Sequence, residues 1–483
     1  MKKANKICLA LACLLTGLSF GGCKKSYTVP TFADTEGVQF TAYSGPTVEN
    51  WASNGKNPNQ LTDENYKKLA EAGFNKVLAL YEGASKENTS GMDVYDAIKK
   101  RSEKAETDAM RALELAEKYG IKYYVRDWAF YGLVKNYVTV GIDEKEEFEK
   151  IIADMFSEDN PYIDHPAYGG NFGHDEPNKQ EMEKIVWQVE LYQKYVKQNG
   201  LVGGEPYINL NPCYVTGKGL SLDNDMTYAD YVDWYFEHLA PLLGYVSWDF
   251  YPFVANNYDG SYIRNMYLYN FEIMAKKCKE TGYELRTMIQ SVGDWTGIRS
   301  MTSIGDYRLQ IASAMAFGAK EIAYYSYCGG SEEGILNYNT GEYSWKYEAV
   351  KTANNEVHAM EDAYLHFDWD GVMYHNADEL YDNQCFANIT SPMESHKRIK
   401  SIEATEDTLV GVFKDDQGMD AFMIVNFTDP YFDKDSEVTV QFKDAKALLM
   451  YRLGQKVVVD LPKDGSYTFK MYPGEGRFVI PLK

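Results

Sequence analysis

Three carboxyl groups in this chain are spaced as acid–base chemistry requires. Asp175 and Glu176 are adjacent in the segment Gly173-His-Asp-Glu-Pro-Asn, and Asp249 lies inside the aromatic run Trp248-Asp-Phe-Tyr-Pro-Phe. General acid–base catalysis needs one carboxyl kept protonated by burial or a neighbouring charge, and a second, ionised one that attacks or activates water. Glu176 is the candidate proton donor, since the charge of Asp175 beside it raises a carboxyl pKa. Asp175 and Asp249 are the candidates for the second role. Asp-Glu-Pro also fits a helix N-terminus, where acids suit the dipole and proline suits the first turn, and the two roles are compatible. His174 either orients the pair or sits satisfied in the core. Asp249 has its own structural alternative, an acid that bonds a neighbouring strand or loop.

These residues must be positioned by the elements before them. From about Gly37 to His366 the chain alternates short apolar runs with amphipathic stretches, eight times over. The predicted strands are Val38 to Ala42, Lys76 to Leu80, Lys122 to Asp127, Gly169 to His174, Tyr207 to Asn211, Gly244 to Asp249, Leu285 to Gln290 and Glu321 to Tyr327. They are rich in Val, Ile, Tyr and Phe, as buried parallel strands are. Between them, Met182, Ile185, Val186, Val189 and Tyr192 mark one apolar helix stripe, and Gly120 follows a helix as a stop. Eight such units predict a (β/α)8 barrel, an α/β fold. The competing open doubly wound sheet lacks its Gly-rich phosphate loop after the first strand.

In such barrels the chemistry sits just past the strands. The segments there are Tyr43-Ser-Gly-Pro, Arg126-Asp-Trp, the Asp-Glu segment, Asn209-Leu-Asn-Pro, the Asp249 run, Gln290-Ser-Val-Gly-Asp-Trp and Tyr325-Ser-Tyr. Amide and charged groups converging with aromatic rings suit a sugar, whose hydroxyls need hydrogen-bond partners and whose ring faces need flat apolar platforms. By position, Trp128, Trp248, Tyr251, Trp295, Tyr327, Asn211, Gln290 and His174 are the candidate binding residues. With 40 tyrosines in the chain, most must serve the core or surface, so only strand-end aromatics count here.

After His366 the pattern becomes alternation without helices. Runs at Leu409 to Phe413, Ala421 to Phe427, Glu437 to Phe442, Ala447 to Tyr451, Lys456 to Leu461, Tyr467 to Tyr472 and Arg477 to Leu482 are separated by turns such as Lys463-Asp-Gly. They predict a small C-terminal antiparallel β-sandwich, residues 367–483, that caps the barrel of residues 36–366.

The N-terminus sets the compartment. Lys2, Lys3 and Lys6 precede an apolar run and then Gly22-Cys23, a signal peptide over residues 1–22 that resembles a bacterial lipoprotein leader. Lipid on Cys23, a linker over residues 23–35 and an exported protein on the outer membrane or surface of a Gram-negative cell follow from that resemblance. Removing three lysines and no acids takes the net charge from -22 to -25. That excludes nucleic acid as a natural partner and, with no Lys/Arg cluster near the strand-end segments, favours a neutral or N-acetylated glycan. The sparse cysteines Cys213, Cys278, Cys328 and Cys385 predict free thiols or at most one disulfide, with Cys213 and Cys328 the pair to consider. Nothing predicts a metal or an organic cofactor.

The Gly173-His-Asp-Glu-Pro segment at the fourth strand resembles the Asn-Glu-Pro signature of the clan A glycoside hydrolases. The resemblance covers the barrel and implies a glycosidase with Glu176 as general acid. The chain departs from the clan at two places. Asp175 stands where the clan has the Asn that bonds the sugar 2-hydroxyl, and Gln290 stands at the seventh strand where the clan has its Glu nucleophile. An amide cannot be that nucleophile. The adjacent Asp-Glu pair also resembles the N-acetylhexosaminidases of families 20 and 123. There the substrate's acetamido group attacks, the Asp orients it and the Glu protonates the leaving oxygen. The other route makes Asp249 the second carboxylate, expected roughly 5 to 10 Å from Glu176 across the barrel mouth. The alternative to both is a glycan-binding lipoprotein that lost its nucleophile. A structural or adhesive protein would not require polar groups converging at the strand ends.

Overall fold

The computed structural model describes residues 27–48, 58–83, 96, 107–157, 160, 162–201, 204–215, 217–222, 226–254, 263–293, 297–330, 334–377 and 383–483. The leader, Cys23 and Trp295 lie outside the described residues.

Eight parallel strands form one sheet: β1 (Gln39–Tyr43), β2 (Lys76–Gly83), β3 (Lys122–Arg126), β4 (Tyr168–Asp175), β5 (Glu205–Asn209), β6 (Tyr245–Phe250), β7 (Glu284–Gln290) and β8 (Glu321–Tyr325). Their order is β5-β4-β3-β2-β1-β8-β7-β6, so β8 returns to pair with β1. The two free edges meet at a single parallel bridge between Leu210 and Trp248, where the Leu210 N–H donates to Ser247 O at 2.8 Å. The sheet therefore closes into a barrel.

Helices pack outside it for the reasons visible in their sequences. The helix Lys179–Gln198 buries Met182, Ile185, Val189 and Tyr192 against the barrel, and Asn178 with Glu181 forms a capping box at its start. The helix Asp108–Tyr119 ends on Gly120 at φ 71°, a left-handed cap that glycine adopts without strain. The barrel floor is polar. Glu321 accepts from Thr41 Oγ1 (2.6 Å) and Lys76 Nζ (2.7 Å), while Arg286 reaches Glu205 at 2.7 Å and Glu321 at 3.4 Å. Every charge in that buried network has a partner, as burial demands.

The C-terminal unit is two antiparallel sheets. Six strands run in the spatial order Asp368–His375, Thr408–Lys414, Asp420–Asn426, Gly476–Leu482, Ala447–Arg452 and Gln455–Asp460. Three more are Ile399–Ala404, Ser436–Phe442 and Ser466–Met471. Their inner faces enclose a core that includes Val410, Phe422, Ile424, Val438, Leu448 and Phe469. The sequence pattern missed Asp368–His375 and Ile399–Ala404. Both carry a bulge, at Trp369/Gly371 and at Ile399/Ser401, which breaks the two-residue period that alternation depends on. The large sheet attaches to the barrel through the helix Ile304–Ala316. A Cβ on Gly411 would come within 2.3 Å of Ala316 O, so only glycine permits that approach. Cys213, Cys278, Cys328 and Cys385 are all free thiols, so the Cys213–Cys328 pairing does not form.

Candidate active site

Glu176 is the first residue beyond β4. Its backbone has φ 50°, a left-handed conformation that costs a non-glycine residue on the order of 1 kcal/mol. Neighbouring groups hold it there. The Glu176 N–H donates to Asn209 O at 2.8 Å, and the next carbonyl, Pro177 O, accepts from Tyr231 Oη (2.7 Å) and Asn211 Nδ2 (3.2 Å). The helix that follows starts only at Lys179, with Asn178 as its cap. Glu176 therefore precedes the cap and does not serve as a first-turn acid.

The three carboxyls converge. Asp175 Oδ2 accepts from Tyr43 Oη at 3.0 Å, and its Oδ1 accepts from Asn209 Nδ2 at 3.2 Å. The same Asn209 amide donates to Asp249 Oδ1 at 3.1 Å, while its oxygen accepts from Ser247 Oγ at 2.9 Å. Asn209 is fully buried, so this clamp is shielded from water. The carboxyls of Glu176 and Asp249 lie near enough for each to act on the ionisation of the other.

Their electrostatics follow from that crowding. Burial, then the charge of Asp175, pushes Glu176 up to about 7, against the hydrogen bond from Asp249 and the charge of Lys135. Glu176 is exposed as a residue, but its carboxyl lies against the other two in the mouth. Asp249 is 3% exposed, and burial followed by repulsion from Glu176 and Asp175 raises it well above the usual carboxylate range. Neighbouring like charges cannot both ionise easily, so both groups are displaced upward and the pair titrates as a unit.

The other sequence candidates separate into those that face the mouth and those that do not. Tyr251 faces it, stacked on Tyr325 at 5.4 Å, and Tyr325 in turn lies 5.0 Å from Tyr43. Trp128 is half-buried at the start of the helix Trp128–Val140, 5.6 Å from Tyr131, and packs on the aromatic lining of the barrel interior. Trp248 does not face the mouth. It is 0% exposed and packs on Phe271 at 5.1 Å, because it alternates with the inward Asp249 along β6. Tyr327 lies behind β8 against Phe74, and its hydroxyl meets that of Tyr343. His174 is buried and stacked on Tyr131, and burial lowers its pKa to about 3, so it remains neutral as a packing residue. Asn211 holds Pro177 rather than a ligand. Gln290 directs its whole amide to the backbone: it accepts from Phe253 N (3.0 Å) and donates to Val292 O (3.0 Å) and Arg299 O (2.7 Å).

Tyr43, Asn209, Tyr325 and Arg126 were not singled out from the sequence, though each opens one of the strand-end segments named above. Among the described residues no group of His, Cys, Asp and Glu is arranged to hold a metal ion.

No family model and no curated protein matches the chain. Similar solved structures include a catalytic mutant of a GH42 beta-galactosidase from G. stearothermophilus, at 10% identity and TM-score 0.51, covering 94% of this chain and 99% of that one. A GH29 alpha-L-fucosidase from Bacteroides thetaiotaomicron is similar at 11% identity and TM-score 0.44, covering 94% and 98%. So is a GH5-4 broad specificity endoglucanase from Bacteroides salanitronis, at 11% and 0.41, covering 67% and 93%. At these identities the likeness is one of fold: the chain shares its barrel architecture with the GH42 beta-galactosidase.

Proposed function

We propose that this protein is an exported, lipid-anchored glycoside hydrolase in which Glu176 protonates the leaving oxygen. The observation that carries the reading is the Asp175–Asn209–Asp249 clamp with Glu176 beside it, a crowded set of carboxyls at the mouth of a barrel. A proton donor is most effective when its pKa lies close to the working pH, and about 7 meets that condition. Asp249 then acts as the second carboxylate, attacking the anomeric carbon or taking a proton from water as Glu176 gives its own to the departing oxygen. Three carboxyls around the cleaved bond disfavour an anionic ring there, so the sugar at that position is neutral or N-acetylated. Tyr251, Tyr325 and Trp128 supply its aromatic walls.

A second route has its own support. Tyr43 and Asn209 fix both oxygens of Asp175, as orienting a substrate acetamido group would require, and Asp175 would then matter more than Asp249. The test common to both is Glu176→Gln. Turnover of glycans with poor leaving groups should fall about a hundredfold or more while the fold and most of the binding survive. Hydrolysis at the parental rate would remove Glu176 from the chemistry. A parent that binds glycans and cleaves none would make this a glycan-binding barrel instead.

A further inference from the structure

The wall of the mouth on the β3 side is basic. Arg126 ends β3 with its guanidinium 4.7 Å from the centre of the Tyr131 ring and 5.8 Å from that of Phe172. Lys135 Nζ lies 5.5 Å from the same Tyr131 ring. Tyr131 is fixed in turn, stacked on Phe172 at 5.9 Å and on His174 at 5.4 Å. The sequence hides this pair. Arg126 and Lys135 are nine residues apart and form no run, but Tyr131 and Lys135 stand at i and i+4 on one helix face, directly over the strand end that carries Arg126.

Two features mark this wall as more than ordinary surface. The chain carries a net charge of -22, so two cations gathered on one ring at the mouth run against the bulk composition. Both also act on the reacting carboxyls: Arg126 and Lys135 favour the ionised form of Asp175, and Lys135 that of Glu176. A cation beside a proton donor works against its function, since it stabilises the form that has already lost the proton. An anion held by the two cations would cancel that field and let Glu176 keep its proton when substrate is bound. Lys135 is exposed and forms no ion pair among the described residues, so it is available to do this.

We propose that Arg126 and Lys135 form a subsite for an anionic substituent of the glycan, a uronic acid carboxylate or a sulfate ester, next to the uncharged ring at the carboxyl cluster. The guanidinium matches the planar two-oxygen face of such a group, and the flexible ammonium closes over it. The inference rests on the glycosidase reading only in taking the carrier of the anion to be a sugar. It narrows the expectation of a purely neutral glycan to the ring at the cleavage point.

Matched ligands test it. Full-length protein carrying Glu176→Gln, which blocks turnover, is titrated with uronate-containing oligosaccharides and their carboxyl-reduced counterparts, and with sulfated oligosaccharides and their desulfated counterparts. One acidic class should bind roughly tenfold or more tighter than its neutralised partner, the gain expected of one or two charge-assisted hydrogen bonds. Which class it is separates carboxylate from sulfate. The preference should fall several-fold between about 50 mM and 500 mM salt, and should largely vanish on adding Lys135→Met, an exposed change that leaves packing alone. Arg126→Gln should act in the same direction, read together with its melting temperature because Arg126 packs on two rings. Equal binding of acidic and neutralised ligands, no binding by either class, or a preference untouched by Lys135→Met would overturn the subsite. Acidic preference in a protein whose parent cleaves nothing leaves the subsite standing and removes the glycosidase reading; cleavage without the preference does the reverse.

Discussion

Replacing Asp175 by Asn isolates the charge that acts on the proposed proton donor, Glu176. The change is nearly isosteric, and the hydrogen bonds can be rebuilt. Asn Oδ1 still accepts from Asn209, now 3.2 Å from Asp175, and Asn Nδ2 can donate to Tyr43 Oη, whose hydroxyl rotates from donor to acceptor. Stability should therefore change by only about 1 kcal/mol. The electrostatic effect is larger in consequence. Glu176 is raised to about 7 first by burial and second by the charge of Asp175, and the substitution removes only the second. A neighbouring carboxylate is worth on the order of 1 pKa unit, so the alkaline limb of the kcat/KM profile should move from about 7 to about 6. At about pH 8 that is roughly a tenfold loss of activity beyond any change at the acid plateau, since the protonated fraction falls by that factor. The assay is hydrolysis of an aryl glycoside from about pH 4.5 to 9, where kcat/KM reports the free enzyme. A limb that stays in place or moves alkaline in Asp175→Asn would refute the assignment of Asp175 as the charge that keeps Glu176 protonated.

The same pKa gives a stability signature. Glu176 in the folded protein, at about 7, lies above its ordinary value of 4.5, so the stabilisation it contributes is complete below about 4.5 and lost as pH rises through 7; melting temperatures of Glu176→Gln should lack that decline, and parallel curves for both proteins would exclude it. Gln290→Glu places a carboxyl at the end of the seventh strand. It should destabilise by roughly 3 kcal/mol or more without gaining activity, because a buried carboxylate would face Val292 O and Arg299 O where the amide now donates. Urea unfolding and a rate assay together decide this, and a stable, faster variant would mean that Gln290 faces substrate after all.

The sequence by itself determined the architecture, because the features that encode it are local and repeated. Eight apolar runs alternating with amphipathic helices, glycine stops and then a change to two-residue alternation are each readable within ten or fifteen residues. They place the Asp-Glu pair at the end of β4 whatever the rest of the chain does. What the tertiary structure decided is which side chain at each strand end turns inward. Neighbours on a strand point to opposite faces, so Asp249 enters the mouth while Trp248 is committed to the helix layer. A single bulge exchanges the two faces, and β4 contains one between Phe172 and His174. Gln290 occupies the expected position for a ligand contact, but backbone groups in two loops claim its amide. Asn209 binds two aspartates 34 and 40 residues away, and Arg126 and Lys135 are brought to the same ring, that of Tyr131. Such pairings form after the barrel has closed, from residues that no window of sequence brings together.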